Sequence, residues 1–444
     1  MNTIEVNCHV KAVLINILAA ICCLFLINLN VKTSSILQVV LICCGVYNIV
    51  YTYKRTHIFL SPVTILGLIW LILIPLTAGS APLMEAMTLF QWNYYLAGAL
   101  CIYTGMLISL AIYQRKCKIL FNIQGTYSWK MTYFLYKCCI SVLAVGVVLY
   151  IVQAKISGGF PIFSADPDAS RRNFFVIPGA ALASNLGFLS IYLIFNDSKY
   201  RKRKLFWVLT AVYLSIQILM TVRFLLFLII IAMISTLSNT AISKQQMRRI
   251  IFGCLVAVLG FIIVSLFRGG IEDKQKFFIK TGVYSGTARE LVNTEIVRYI
   301  GMSQRTMESY MKHYDAGCAM LGHTLFPLFD TVGIKTYIPT HYGVYGYTAC
   351  NIITYFYFDA GHLWWLLMIV WSFILNNWYY SFRQQPYNIV NKYLWGISAI
   401  GMTMSFYCYI NAYPYWYFHY IVILYILKAF NTNGLFYYIE DIKR

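Results

Sequence analysis

The chain has 444 residues, of which 60% are hydrophobic and only 11% charged, with a formal net charge of +20. A soluble domain carries about a quarter of its residues as charges to cover its surface, so an ordinary soluble enzyme or binding module is excluded. The positive charge does not point to nucleic acid either, because most basic residues lie in short stretches between apolar blocks.

Those blocks run about 17 to 21 residues, the length a helix needs to cross ~30 Å of hydrocarbon. Backbone amides in lipid must bond within their own segment, so each block reads as a helix. The first, Ala12 to Leu29, follows Lys11 and is followed by no small-x-small cleavage pattern, which makes it a retained span rather than a signal peptide. Further spans are expected at roughly 35–53, 59–78, 93–113, 131–152, 178–195, 206–221, 224–238, 250–267, 360–381, 393–410 and 415–430. The expected fold is all-α: a polytopic integral membrane protein of about twelve transmembrane helices with one large helical extracytoplasmic loop. Residues 1–267 carry the first nine helices, 268–359 the loop unit, and 360–444 the last three helices with a cytoplasmic tail.

Orientation follows from lysine and arginine, which stay cytoplasmic in short loops. Basic clusters occur at Lys54-Arg55, Arg115 to Lys118, Lys199 to Lys204, Lys244 to Arg249, and Arg383 to Lys392. Each separates an even span from the next odd one, and Lys443-Arg444 agrees, so both termini are expected in the cytoplasm. The apolar run 206–237 is long for one span and short for two. Two spans with an outer turn at Thr221-Val222-Arg223 keep the flanking basic clusters on one side, and place Arg223 at the outer membrane edge. The cysteines fall mostly inside spans as small apolar residues. Only Cys318 is clearly in a loop, with Cys350 near a membrane edge, and a bridge between them is left open.

Two outer segments exceed turn length: Ala154 to Val176, and Arg268 to about Asp359. In the second, Thr287-Ala288-Arg289-Glu290 fits a capping box, predicting a helix from there to about Tyr314, with a short helix at about Cys318 to Leu328. Outer arginines run against the positive-inside rule and each asks for a reason. Arg223 lies between apolar spans, and Arg268 sits where the ninth span ends, followed by Gly269-Gly270. A guanidinium presents a planar fork of donors that matches phosphate oxygens. With Arg171, Arg172 and Arg298, these residues suit an anionic group at headgroup level; the alternative is snorkelling to ordinary membrane lipids. A second group, His341-Tyr342, Asn351, Thr354, Asp359 and His362, surrounds the entry to the tenth span. There His341 is the expected base for an attacking hydroxyl, with His323 as its competitor and loop packing as the plainer role for either. Asp359 either orients a ligand or caps the following helix. The sequence has no Walker loop, dinucleotide fingerprint, HExxH or GxSxG, which leaves chemistry without a metal or cofactor, or transport.

Four places resemble the bacterial O-antigen and oligosaccharide repeat-unit polymerases: Ser61-Pro62 opening the third span; Ser170-Arg171-Arg172-Asn173-Phe174-Phe175; Thr221-Val222-Arg223-Phe224 with Phe267-Arg268-Gly269-Gly270; and the run from Thr348 to Gly361, an asparagine, an aromatic run and Asp-x-Gly. The resemblance implies a multi-pass protein of the bacterial cytoplasmic membrane that joins glycan repeat units on undecaprenyl pyrophosphate at the outer face. It implies lipid-linked oligosaccharide donor and acceptor, membrane lipids and a chain-length regulator as partners, and no nucleic acid. Arg223 and Arg268 would neutralise the departing pyrophosphate, Arg171 would assist, and His341 would activate the acceptor. The histidine motif of the related O-antigen ligases is missing, so a ligase-like transferase is the second reading and a lipid-linked oligosaccharide flippase the third.

Overall fold

The architecture comes from a computed structural model, which describes residues 3–29, 34–58, 60–79, 85–120, 127–164, 170, 173–175, 177, 180–220, 288–325, 350–386, 388–408 and 423–440. In chain order the described helices are α1 (Thr3–Asn28), α2 (Ser34–Thr56), α3 (Pro62–Leu76), α4 (Leu89–Leu120), α5 (Tyr133–Ile156), α6 (Ala180–Asn196), α7 (Lys204–Leu219), α8 (Ala288–His313), α9 (Ile352–Ala360), α10 (Trp364–Gln384), α11 (Ile389–Met404) and α12 (Leu424–Thr432). Two short strands, β1 (Tyr127–Met131) and β2 (Phe436–Glu440), pair antiparallel from Tyr127 opposite Glu440 to Met131 opposite Phe436. Five stretches, Glu5–Asn28, Ser35–Thr56, Leu89–Tyr113, Tyr133–Phe163 and Ile352–Gln384, are long and apolar enough to cross a membrane. The chain is therefore a largely helical, multi-pass membrane protein.

Side-chain direction supports this. On α1 the large apolar residues Leu14, Leu18, Ile21 and Phe25 are exposed, at the spacing of one helix face, while Glu5, His9 and Asn16 are buried. A helix that turns apolar residues outward and polar ones inward is built for a lipid surround.

α4 and α10 form the centre. Tyr94 meets Trp364 at their starts (ring centres 5.6 Å apart) and Tyr113 meets Tyr380 near their ends (5.1 Å), so the two run parallel. Parallel spans require an odd number of crossings between them, a parity that the five expected crossings satisfy. α1 runs the opposite way: Glu5 accepts from Tyr379 (3.1 Å) and from Arg383 (2.9 Å) at the far end of α10. A second core joins α5, α6, α7 and α12. Between the cores lies α11, which sends Trp395, Ala399 and Met402 into the first and Tyr393, Ile397, Ile400 and Met404 into the second.

The described basic loops gather at one end. Lys11 lies over the Tyr51 ring, bringing the Lys54-Arg55 end of α2 to the start of α1. Met131 N donates to Asp197 Oδ2 (2.9 Å) and Thr132 N to Leu435 O (3.1 Å), joining the 197–204 loop, the start of α5 and the C-terminal strand.

Several expected boundaries shift. Met131 closes a strand, so the fifth span starts at Tyr133. The tenth begins at Ile352 rather than 360 and is broken at Gly361. The third covers only Pro62–Leu76, with Ser61 as N-cap, Pro62 in the first turn and a π-helical segment at Gly67–Leu73. α7 ends at Leu219 with Met220 as its C-cap, the turn expected at 221–223 lies outside the described residues, and α8 matches the helix predicted to reach about Tyr314. The helix expected from Cys318 does not start there, because Met320 and Leu321 take positive φ (45° and 63°), which a helix cannot accommodate; one helical turn follows at 322–325. Cys318 and Cys350 are free thiols. The spans expected at 224–238 and 250–267, and the first half of 415–430, lie outside the described residues.

Candidate functional site

Away from the basic end, the described residues converge on the C-terminus of α9. Asn351 starts this helix: its Oδ1 accepts from Thr354 N (3.2 Å) and Thr354 Oγ1 (3.1 Å). Gly361 ends it at φ 58°, ψ −129°, where a Cβ would lie 3.3 Å from Ala316 C and Gly317 N. The last carbonyls of α9 would otherwise be orphaned. They are taken by alternate amides of one turn: Gly317 donates to Tyr357 O (3.0 Å), Ala319 to Phe358 O (2.8 Å) and Leu321 to Asp359 O (3.0 Å). The positive φ values at 320 and 321 are what let that turn follow the helix end.

This turn delivers His323 and Thr324 to the buried carboxylate of Asp359. Oδ1 accepts from His323 N (2.9 Å) and His323 Nδ1 (2.8 Å); Oδ2 accepts from Thr324 N (2.7 Å) and Thr324 Oγ1 (2.6 Å). A carboxylate oxygen only accepts, so Nδ1 donates in this pair, and the neutral tautomer that fits it has its lone pair at Nε2. The Tyr355 ring meets the imidazole edge-on, with centres 5.0 Å apart, and Phe358 packs at 6.0 Å. A histidine with fixed tautomer and orientation, backed by a carboxylate, is equipped to take a proton at Nε2.

α8 is the platform for this end. Asn351 Nδ2 donates to Gln304 Oε1 (2.5 Å) and Ser303 Oγ to Phe406 O (2.5 Å), while Trp70 Nε1 donates to Ser405 Oγ (2.8 Å). Arg305 is buried and gives its guanidinium to carbonyls: Thr77 O (2.8 Å), Glu85 O and Gly301 O (both 3.1 Å), and Gly79 O (3.3 Å). Burial pulls it down to about 10, which still leaves a cation at neutral pH. Glu308 accepts from Thr88 Oγ1 (2.7 Å), Gln91 Nε2 (2.8 Å) and Lys312 Nζ (2.7 Å). Burial pushes its carboxyl up, but the hydrogen bonds and the Lys312 charge outweigh that and hold it below its ordinary value.

Of the residues expected to form a site, the structure brings Asn351 and Asp359 to this end, and both direct their hydrogen bonds inward: Asn351 as a helix cap tied to Gln304, Asp359 as the acceptor that holds His323. Thr354 is buried beside Asn351, and His362 is exposed. Arg298 lies on α8, with its side chain outside the description. Arg171, Arg172, Arg223, Arg268, His341 and Tyr342 lie outside the described residues, so the structure does not relate them to the His323–Asp359 pair. That pair is separated by 36 residues, and no local pattern joins the two. A signal for α8 was present: Arg298, Arg305 and Lys312 recur every seven residues, about two helical turns, and so share a face.

Compared with family models, curated proteins and solved structures, the chain matches none.

Proposed function

We propose that the end holding the His323–Asp359 pair is the extracytoplasmic face of a glycosyltransferase that joins lipid-pyrophosphate-linked oligosaccharide repeat units into a surface polysaccharide. The observation that carries this reading is the pair itself, an imidazole fixed through Nδ1 by a buried carboxylate at one end of a membrane bundle. Gathering of the described basic loops at the other end supports its sidedness, since basic loops remain cytoplasmic and would put both termini there. The resemblance to the repeat-unit polymerases supplies the substrate class.

In this reading a hydroxyl of the incoming unit attacks the anomeric carbon of the lipid-linked chain. The new glycosidic C–O bond forms as the bond to pyrophosphate breaks, the pyrophosphate leaves on its lipid, and the hydroxyl proton passes to His323 Nε2. His323 takes the role of base ahead of His341, because a carboxylate orients it. Arg223 and Arg268 neutralise the leaving pyrophosphate, whose charge grows in the transition state, and Arg171, Arg172 and Arg298 bind the anionic head of the substrate. A chain-length regulator is a further partner in this scheme.

The test is the polysaccharide gel profile of the natural host lacking the gene, complemented at equal membrane levels. A single-repeat band in the deletion, a ladder with wild type and no ladder with His323→Ala is the expected result. A full ladder from His323→Ala overturns the base assignment, and a deletion that removes even the single-repeat band points to an earlier, flippase-like step.

A further inference from the structure

We infer that the basic end carries a separate binding site, a cleft that takes the phosphate of an anionic glycerophospholipid. The cleft, of about 500 Å³, opens between the starts of α5 and α7 and is lined by Tyr133, Tyr136, Lys137, Ile140, Arg203 and Leu205, among others. Lys204 adds a third cation. Among the described residues no carboxylate pairs with any of the three. The acid nearest in the chain, Asp197, is buried and already accepts from the amides of Met131 (2.9 Å), Lys199 (2.8 Å) and Tyr200 (3.0 Å).

Aromatic rings hold two of the cations in position. Lys137 Nζ lies 4.7 Å from the Tyr133 ring centre, and the Arg203 guanidinium lies 5.5 Å from Tyr136 and 5.7 Å from Tyr200. Tyr136 and Tyr200 are themselves stacked at 4.3 Å. Cations braced in this way lose less freedom when an anion arrives. Tyr136 is only 4% exposed, and its hydroxyl has no hydrogen-bond partner among the described residues although it lines the cleft. Arg203, at the N-cap of α7, makes no side-chain cap bond, so the amides of that helix's first turn add to the positive field.

The walls identify the remainder of the ligand. Ile140 and Leu205 line the cleft, and Leu205 is exposed, as are Phe134 next to Tyr133 in α5 and Val208 one turn beyond Leu205 in α7. Three cations beneath an apolar, lipid-facing wall fit a phosphate that carries acyl chains; an inorganic phosphate would leave that wall unused. The site lies at the opposite end from His323 and Asp359 and does not depend on the transferase reading.

The test is native mass spectrometry of the full-length protein in detergent, titrated with dioleoyl phosphatidylglycerol or dioleoyl phosphatidylcholine. Wild type retains the anionic lipid preferentially, and Lys137→Ala with Arg203→Ala lowers that retention by about fivefold per cation removed, with the zwitterionic lipid unaffected. Tyr136→Phe, which keeps the ring stack, gives a smaller loss and serves as the reading if the double variant does not elute as a folded species. Equal retention of both lipids by wild type, or unchanged phosphatidylglycerol binding in Tyr136→Phe and in a folded double variant, overturns the site. Displacement of the lipid by about 10 mM inorganic phosphate, a concentration that screens charges only weakly, with sensitivity to the same substitutions, overturns the lipid assignment in favour of free phosphate.

Discussion

Four hydrogen bonds converge on the carboxylate of Asp359, and they divide between architecture and chemistry. The bonds from His323 N, Thr324 N and Thr324 Oγ1 fasten the turn to the end of α9, while the bond from Nδ1 sets the imidazole. Removing a buried acceptor leaves its donors unpaired, at a cost of about 1–3 kcal/mol for each such group. Asp359→Ala is therefore expected to lower the detergent-solubilised melting temperature markedly. Asp359→Asn should fold, because it keeps an oxygen acceptor, yet lose about 10²-fold or more in turnover of a lipid-linked repeat unit, the scale of a mispositioned base. A variant that folds and turns over at the wild-type rate would remove the pair from the chemistry. Glu308 gives a pH-dependent contact. Its folded carboxyl sits below the ordinary value, so its stabilisation is present above the unfolded carboxylate pKa and is lost as pH falls through the lower, folded one. Protection factors at residues 88–91, with the intrinsic pH dependence of amide exchange divided out, should fall on acidification in wild type, and be already low and flat with pH in Glu308→Gln.

Elements meet closely where side chains are small or absent. On α4, a Cβ at Gly105 would lie 2.5 Å from Ile369 O and 2.9 Å from Ser372 Cβ on α10, and Ser372 Oγ donates to Ile102 O (2.7 Å). Close backbone approach with a hydroxyl bridge is how membrane helices gain packing that lipid cannot supply. Gly105→Val forces the central pair apart, and should abolish monodisperse elution after solubilisation, whereas Gly146→Ala, with 3.8 Å to its nearest neighbour, should be tolerated. Ser61-Pro62 was legible as the opening of the third span, because a helix start needs only residues within one turn, whereas Asn351, expected in a binding site, is the cap of α9. The tenth span starts earlier than expected because residues 352–358, apolar apart from Thr354 and followed by Asp359, are too few to cross a membrane by themselves. Only the structure joins them through the break at Gly361 to the helix that follows.

At the scale of the whole molecule, the described basic loops share one end, where Lys54-Arg55 and Arg201 to Lys204 lie with the C-terminal strand, and the His323–Asp359 turn lies at the other end of α10. The turn exposes Met320 (77%). Cysteine placed there should react with a membrane-impermeant maleimide in intact cells above the wild-type background, and cysteine at Lys202 only after the membrane is opened; the reverse pattern would invert the proposed orientation. Membrane class, helical fold and the grouping of basic loops were determined by the sequence alone, because burial in lipid acts on every residue of a segment and leaves a pattern about 20 residues long. The pairing of His323 with Asp359, the burial of Arg305 against carbonyls and the cleft between α5 and α7 were decided only by tertiary structure. Each depends on groups that are distant along the chain, and no local periodicity records which turn a helix end will meet.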